Sequence, residues 1–223
     1  AATITRSIAS IKSLYTYLQM TGEVSANPAK GVAAVKVEHK FPEILTGKEV
    51  ELFLDQPQCV DAKGYRDHAM LELLYATGIR VSELRHITAE AVREGRAAVR
   101  NKGKTRVILI PAALRRLLLG YMKKAGVTTG SVFLSKNKTP LDRSTVWRRM
   151  KALCERAGVD PRKVFPHSLR HLFARVFYSV EKDLLRLADI LGHASVNTTR
   201  IYTMETGRQH MKLLERVSRV LLT

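Results

Sequence analysis

Apolar positions recur every three or four residues through most of the chain, which predicts a mainly helical protein. In the first such stretch, residues 3–21, one helix face carries five apolar side chains: Ile4, Ile8, Ile11, Tyr15 and Leu18. A single helix cannot bury such a face alone. We therefore interpret residues 1–27 as the last helix of an N-terminal domain that is mostly absent from the sequence.

A second domain is predicted to begin at Thr46, which has Glu49 three residues later. This spacing is typical of a capping box at a helix N-terminus, and apolar Val50, Phe53 and Leu54 follow it. The domain boundary therefore falls near residue 43. Residues 28–43 contain prolines and several basic positions, including Lys36 and Lys40. They are interpreted as a basic linker lying along a negative partner, or as a solvated connector.

The second domain, residues 44–206, is predicted to be mostly helical, with one small sheet. Helices are expected at about 65–76, from Ser82 onward, and at 112–125, 143–157, 167–180, 182–191 and 195–204. Two β-rich stretches, 95–100 and 105–111, flank a turn at 101–104 and predict a basic antiparallel hairpin. The fold class is therefore α+β and mainly α. Residues 207–223 are expected to form a short amphipathic tail.

The charge of the chain points to a polyanionic partner. Thirty-eight Lys and Arg residues oppose 20 Asp and Glu residues, a formal net charge of +18. Nucleic acid is the first candidate, because neutralised phosphates release condensed counterions whatever their sequence. A membrane surface is the second. No apolar run approaches the roughly 18 residues that a membrane-spanning helix needs.

The two cysteines, Cys59 and Cys154, lie far apart and lack the spacing of metal-ligand or redox motifs. We expect buried, reduced thiols and a cytoplasmic protein, associated with the nucleoid when DNA is bound.

Three motifs carry residues that can grip and attack a phosphodiester: Ala76-Thr-Gly-Ile-Arg80, His167-Ser-Leu-Arg170-His171, and Leu191-Gly-His193 through Tyr202. Any one of them is weak evidence of a functional site. Together, in this order, they resemble those of the tyrosine recombinases, the phage integrase family. The resemblance covers about residues 26–206 and implies the fold of the DNA breaking-rejoining enzymes, with residues 1–27 ending a core-binding domain.

The resemblance implies that Tyr202 attacks the scissile phosphate to give a 3'-phosphotyrosyl link and a free 5'-hydroxyl. Arg80 and Arg170 would bind the non-bridging oxygens, and guanidinium suits this task because it is always charged and offers a planar fork of donors. His167 would accept or relay the tyrosine proton, and His193 would hydrogen-bond the phosphate. The resemblance implies no cofactor, neither ATP nor a metal ion. A zinc site at His167 and His171 is disfavoured, because Ser168 stands where a metalloprotease motif has glutamate.

The resemblance also implies that a lysine on the hairpin turn protonates the leaving 5'-oxygen. The segment Asn101-Lys102-Gly103-Lys104 is one residue shorter than the usual family pattern, so both lysines are candidates. We favour Lys102, because it should sit at the turn. Glu83 would support the active-site cations and His171 would orient or pack. Predicted DNA contacts are Lys36, Lys40, Arg100, Lys104, Arg106, Arg143, Arg148 and Arg149.

The resemblance thus implies a site-specific recombinase acting on double-stranded DNA, with a dimer on each site and a tetramer in synapsis. The amphipathic tail would dock on a neighbouring subunit or fold back on its own. Two alternatives are a type IB topoisomerase, which shares the phosphotyrosyl chemistry, and a DNA-binding protein without catalysis. An intact set of catalytic residue types argues against the second, because a pure binder needs no nucleophile.

Overall fold

The computed structural model describes residues 2–33, 45–101, 104–193 and 195–200, and the chain divides into two compact units, 1–42 and 43–223. In the first unit, α1 spans Ala2–Met20. The Asn27 side chain donates to the Lys12 carbonyl at 3.1 Å, so the chain after α1 folds back along that helix. Ile4 and Ile11 are exposed. The described residues outside 2–33 belong to the second unit.

The second unit consists of short and medium helices around one hairpin, as the sequence predicts. In chain order its elements are α2 (Gly47–Leu54), α3 (Ala62–Thr77), a 3₁₀ helix (Val81–His86), α4 (Ala89–Glu94), β1 (Arg96–Asn101), β2 (Lys104–Leu109), α5 (Ala112–Ala125), α6 (Arg143–Ala157), α7 (Pro166–Val180), α8 (Leu184–Leu191) and α9 (Val196–Arg200).

The predicted capping box at the start of α2 is confirmed. The Thr46 hydroxyl accepts from the Glu49 backbone N–H at 3.3 Å, and the Glu49 carboxylate accepts from the Thr46 backbone N–H at 2.8 Å. These two bonds satisfy donors that a helix N-terminus otherwise leaves unpaired. Val50, Phe53 and Leu54 are buried on the side that α2 turns toward the core.

Helix α3 forms the centre of the core and packs against both α5 and α7. Met70, Leu71, Leu73 and Leu74 are at most 1% exposed, which means that α3 is covered on more than one side. Because α3 is enclosed, its C-terminus is a fixed point, and the first predicted motif follows directly from it.

The sheet is the two-stranded antiparallel hairpin that the sequence predicts. Arg96 pairs with Leu109, Val99 with Arg106, and Asn101 with Lys104. Side chains alternate across a strand. In β2 and just beyond it, Ile108 and Ile110 are buried while Val107 and Leu109 are exposed. Arg106 therefore lies on the same face as the two buried isoleucines.

Two sequence predictions differ from the structure. The helix expected from Ser82 onward is two short helices, a 3₁₀ helix at Val81–His86 and a separate α4 that begins after Thr88, whose hydroxyl caps it. The buried state expected for both thiols holds for Cys154, whereas Cys59 is exposed. Cys59 lies in the connection between α2 and α3, beside Val60, which is also exposed. Connections of this kind run over the protein surface.

Candidate active site

Gly78 ends α3 and shapes the first motif. Its backbone adopts the left-handed conformation with φ of 59°. A Cβ at this position would lie 2.5 Å from Cδ1 of Phe173 and 3.1 Å from Cδ2 of Leu191. Glycine therefore meets two requirements, the left-handed turn and the close approach of α7 and α8. After this turn the chain leaves α3, and Arg80 follows two residues later.

Arg170, on the first turns of α7, is among the most deeply buried charged residues that the structure describes. Backbone carbonyls hold its side chain, since Nη1 donates to the Gly78 carbonyl at 2.6 Å and Nη2 donates to the Leu191 carbonyl at 2.7 Å. Nη2 also lies 2.9 Å from Nε2 of His193. Residue exposure is only 2%. A buried charge of this kind requires such partners, so the second and third motifs are joined to the first through this one guanidinium.

Glu83 connects Arg80 to the hairpin. Its carboxylate accepts from the Arg80 backbone N–H at 2.7 Å and from Arg80 Nη1 at 3.1 Å, and it binds Arg106 Nη2 at 2.5 Å. Burial alone would raise the pKa of Glu83, but the hydrogen bonds from Arg80 and Arg106 and their positive charges outweigh it and lower the pKa. Glu83 is therefore a carboxylate at neutral pH, and it holds two arginines at once.

Three arginine side chains of the site bind at the C-terminus of α8. Three consecutive carbonyls each accept from one arginine: Ile190 from Arg106, Leu191 from Arg170 and Gly192 from Arg80. The last carbonyls of a helix have no partner within it, and the helix dipole makes this end negative. The C-terminus of α8 is therefore a suitable anchor for three positive side chains.

His193, directly after this helix end, is held on both ring nitrogens. Nδ1 lies 2.6 Å from Oγ1 of Thr199 in α9, and Nε2 faces Arg170. Arginine can only donate, so Nε2 accepts and the proton of the neutral ring sits on Nδ1. Burial, followed by the charges of Arg170, Arg80 and Arg106, lowers the pKa of His193 to about 4. The ring is therefore neutral at physiological pH.

The two other predicted histidines lie one helical turn apart on α7. His167 is exposed in the first turn of the helix. Burial of part of its ring lowers its pKa, and the charges of Arg170, Arg143 and Arg80 add to the shift. His171 is half-buried, and burial followed by the proximity of His167 and Arg170 lowers its pKa to about 4. Both rings are thus neutral near pH 7 and able to accept a proton.

The structure therefore brings Arg80, Glu83, Arg170 and His193 together. His167 lies close enough to Arg80 and Arg170 for their charges to lower its pKa. Tyr202, Lys102, Lys36 and Lys40 lie outside the described residues, as do the side chains of Arg100 and Lys104. The described part of α9 ends at Arg200, two residues before Tyr202 in sequence.

The remaining predicted DNA contacts differ in their surroundings. On α6, Arg148 is exposed and donates to the Thr145 hydroxyl at 3.2 Å. Arg149 Nε donates to the fully buried carboxylate of Asp67 at 2.7 Å. Arg143 begins the same helix. Arg106 points inward, toward Glu83. The assignment of these four residues to DNA stays a prediction.

Two residues of the site went unrecognised in the sequence: Thr199, which holds His193, and Arg106 in its inward role. For Arg106 a signal existed, because in Arg106-Val-Ile-Leu-Ile110 the arginine falls on the same alternate positions as the two isoleucines. An arginine at a core-facing position requires a buried carboxylate as partner. For Thr199 there was no signal, since a threonine six residues from a histidine has no regular spacing.

Two other kinds of feature are absent from the described residues. In these segments no helix is long and apolar enough to cross a membrane. Over the same segments, no group of three or more His, Cys, Asp or Glu side chains is arranged to hold a metal ion.

Known proteins give an independent comparison. The phage integrase family matches residues 43–208. The chain is 34% identical to a tyrosine recombinase XerD of Shewanella oneidensis over 89% of its length and 69% of the relative's. It is also 34% identical to a tyrosine recombinase XerC of Roseiflexus castenholzii, over 91% of this chain and 68% of the relative. These relatives carry recombinase names, so the topoisomerase alternative is not favoured.

Solved structures agree. A crystal structure of XerA recombinase superimposes with a TM-score of 0.67 at 25% identity, over 95% of this chain and 75% of the other. The Tn1549 transposon integrase in complex with transposon right end DNA superimposes with a TM-score of 0.77 at 19% identity, over 98% and 80%; this likeness shows the fold alone. With the family match over most of the chain, and arginines from the first two motifs and the hairpin meeting at one helix end, the chain belongs to the phage integrase family and is a tyrosine-type site-specific DNA recombinase.

Proposed function

We propose that this recombinase cuts and rejoins double-stranded DNA through a covalent link to Tyr202, with Arg80 and Arg170 holding the reacting phosphate. The phenolic oxygen forms a bond to phosphorus, and the bond from phosphorus to the 5'-oxygen breaks. The product is a 3'-phosphotyrosyl link and a free 5'-hydroxyl. Attack of that hydroxyl, or of one from a second duplex, reverses the step, so the bond energy is kept in the enzyme.

The observation that carries this proposal is the meeting of Arg80, Arg170 and His193 at the C-terminus of α8. During the reaction the phosphorus becomes five-coordinate and its negative charge increases. Cations that are already fixed stabilise such a transition state more than the ground state. The two guanidiniums are held by backbone carbonyls, which is the preorganisation that this mechanism needs.

The histidines are suited to different tasks. The lowered pKa of His167 leaves it neutral, so it can take the Tyr202 proton as the bond to phosphorus forms. His193 Nε2 accepts from Arg170 in the described arrangement. It can donate to a phosphate oxygen only after the ring gains a proton or exchanges its tautomer. The negative charge of a bound phosphate favours the first change, because it raises the pKa of a neighbouring imidazole.

We further propose that a hairpin lysine protonates the leaving 5'-oxygen, with Lys102 favoured over Lys104. General-acid help of this type is worth roughly 100- to 10,000-fold in rate. A substrate with a 5'-bridging phosphorothiolate needs no proton on its leaving group. Replacing the true acid by Ala should therefore be rescued by this substrate, while replacing the other lysine should show no such rescue.

The decisive experiment is covalent trapping. The chain would be incubated with nicked suicide duplexes taken from the flanks of its own gene, and the DNA attached to protein would be sequenced. We expect an adduct with the wild-type chain and none with Tyr202→Phe, while DNA binding is retained. Adducts formed by Tyr202→Phe would refute the assignment of the nucleophile.

We also propose that the chain works in the cytoplasm, at the nucleoid, as a dimer on one site and a tetramer in synapsis. A solved λ integrase fragment that superimposes with a TM-score of 0.71 at 20% identity is a dimer bound to a core site. On the second unit, Phe173, Val176, Phe177 and Val180 of α7 line an apolar groove of about 470 Å³ with Tyr75. Val180 is 82% exposed there. This groove could hold the amphipathic tail, residues 207–223, from the same subunit or from a neighbour.

Removal of residues 207–223 separates these two arrangements. Docking on a neighbour predicts weaker synapsis with nearly unchanged binding of the monomer to DNA. Docking within the same subunit predicts a loss of stability that is already measurable without DNA.

A further inference from the structure

Arg106 occupies a position where an apolar residue is expected. It lies on the core-facing side of β2 in line with Ile108 and Ile110, and its side chain is 14% exposed. From this strand the guanidinium reaches two other elements. It binds the Glu83 carboxylate in the 3₁₀ helix and donates to the Ile190 carbonyl at the end of α8.

The path of the side chain depends on Gly192. This glycine has φ of 64°, and a Cβ there would overlap Cδ of Arg106 and approach its Nε to 2.9 Å. The glycine in Leu191-Gly192-His193 therefore leaves room for an arginine that comes from the hairpin. In the folded chain, the third motif and the hairpin therefore pack directly against each other, at Gly192 and Arg106.

Stability alone does not account for an arginine at this site. Within the described segments, Nε of Arg106 is one of two buried side-chain polar atoms with no hydrogen-bond partner, the other being Oγ of Ser131. An unpaired buried donor is costly. Buried ion pairs are often no better for stability than well-packed apolar residues of similar volume. A residue that served only the core would more naturally be apolar, like its neighbours Ile108 and Ile110.

We infer that Arg106 is a positioning residue, which locks the hairpin to the phosphate-binding arginines. One side chain ties β2 to Glu83, which also holds Arg80, and to the helix end that holds Arg170. Because β2 begins at Lys104, beside the turn, this link sets where the hairpin lysines stand relative to the phosphate. The inference rests on the proposed function, and it replaces a DNA-contact role for Arg106 by one inside the protein.

The test compares Arg106→Met with Arg96→Met in the full chain. Methionine keeps an aliphatic stem beside Gly192 and removes every donor. Arg96 is a matched control, because it lies on the same hairpin with a 70% exposed side chain. Cleavage of the suicide duplex recovered by trapping would be followed in single turnover at saturating protein. We expect Arg106→Met to cleave about 100-fold more slowly, the order of loss that a misplacement of about 1 Å causes, and Arg96→Met to stay within about threefold of wild type, the mild effect usual for an exposed site.

The 5'-phosphorothiolate version of the same duplex gives a readout that lost stability would not change. If Arg106 holds the hairpin acid in place, the defect of Arg106→Met relative to wild type should be at least about tenfold smaller on this substrate than on the ordinary duplex. The recovered factor is the part of the general-acid contribution that the substitution removes. A rate loss without such rescue overturns the link to the hairpin. Cleavage that stays within threefold of wild type overturns it as well.

DNA affinity separates the inference from a direct phosphate contact. Loss of such a contact would weaken binding to all sequences and reduce the salt slope by about one. That result, with normal cleavage at saturation, would overturn the inference and leave the proposed function intact. Failure of the proposed function itself is distinguishable, because the wild-type chain would then form no covalent adduct at all.

If the Arg106→Met variant does not fold, Arg106→Lys tests the same inference. Lysine keeps the charge but offers one ammonium group for two acceptors on different elements. Its cleavage rate should lie between those of wild type and Arg106→Met, about tenfold below wild type, with part of that loss recovered on the phosphorothiolate duplex. Cleavage by Arg106→Lys equal to wild type would overturn the inference.

Discussion

Glu83→Gln should cost the second unit a large part of its stability. The Glu83 residue is 3% exposed, and its carboxylate meets Arg80 Nη1 at 3.1 Å and Arg106 Nη2 at 2.5 Å. Glutamine has nearly the same shape but no charge, and only one of its two terminal groups can accept. The two guanidiniums would then repel each other in a partly buried space, because the negative charge that offsets their repulsion is gone.

The magnitude follows from the two ion pairs. Removing one partner of a buried pair costs about 3–5 kcal/mol. We place this substitution near the lower end, at about 3 kcal/mol, because the amide oxygen still accepts one bond and Arg80 is partly solvated. For a chain of this size such a loss corresponds to a fall in Tm of about 6–12 °C.

Urea unfolding at pH 7, followed by circular dichroism, measures the difference in the free energy of unfolding. Glu155→Gln, at an exposed position of α6, is the control and should change that free energy by less than about 0.5 kcal/mol. If Glu83→Gln also lost less than about 1 kcal/mol at unchanged m-value, the pairs would be solvent-screened. The account of Glu83 as the holder of two arginines would then be refuted.

Three further predictions concern the same site. The pKa of His171 and that of His193 are about 4 in the folded chain, against an ordinary 6.5, so the unfolded state binds more protons between these pH values. The free energy of unfolding should therefore fall as the pH drops from about 6.5 to about 4. A free energy of unfolding that does not change over this pH range would contradict the lowered pKa values. Thr199→Val should lower stability by about 1–2 kcal/mol, because His193 Nδ1–H loses its acceptor, whereas Thr199→Ser should restore most of it in the same urea titration. Gly78→Ala should cost at least about 2 kcal/mol more than Gly126→Ala in thermal unfolding, since both glycines have positive φ but only Gly78 faces a close side chain; equal losses would show that Phe173 simply moves.

Most helix ends could be read from the sequence because local chemistry decides them. Helices α5 and α6 cover 112–125 and 143–157, as predicted. Asp142 caps α6 through its side chain, and Gly126 and Gly158 end the two helices in the left-handed conformation. These are signals within a few residues of each terminus.

The segment after Gly78 could not be read in this way. The sequence predicts a helix from Ser82 onward, whereas the chain forms a 3₁₀ helix and then the separate α4. Glu83 binds the Arg80 backbone, 3 positions earlier, and Arg106, 23 positions later. A contact across that distance has no signature in a local pattern.

The residues of the site were predictable as a set, but not their contacts. Motif spacing pointed to Arg80, Arg170 and His193, and these three do lie together. It gave no indication that Arg170 is buried, or that two backbone carbonyls accept from its guanidinium. Those facts depend on where α8 ends relative to α7, which is a property of tertiary packing.

The row of carbonyls at the end of α8 has a thermodynamic consequence for DNA association. An arginine side chain carries about 2 kcal/mol of rotamer entropy that is lost when the side chain becomes ordered. Arg80 and Arg170, the two arginines proposed to bind the phosphate, lose most of it when the chain folds, because each already donates to one of these carbonyls. Little of this entropy is then left to lose when a phosphate arrives, so the fold bears an ordering cost that would otherwise weaken every encounter with DNA.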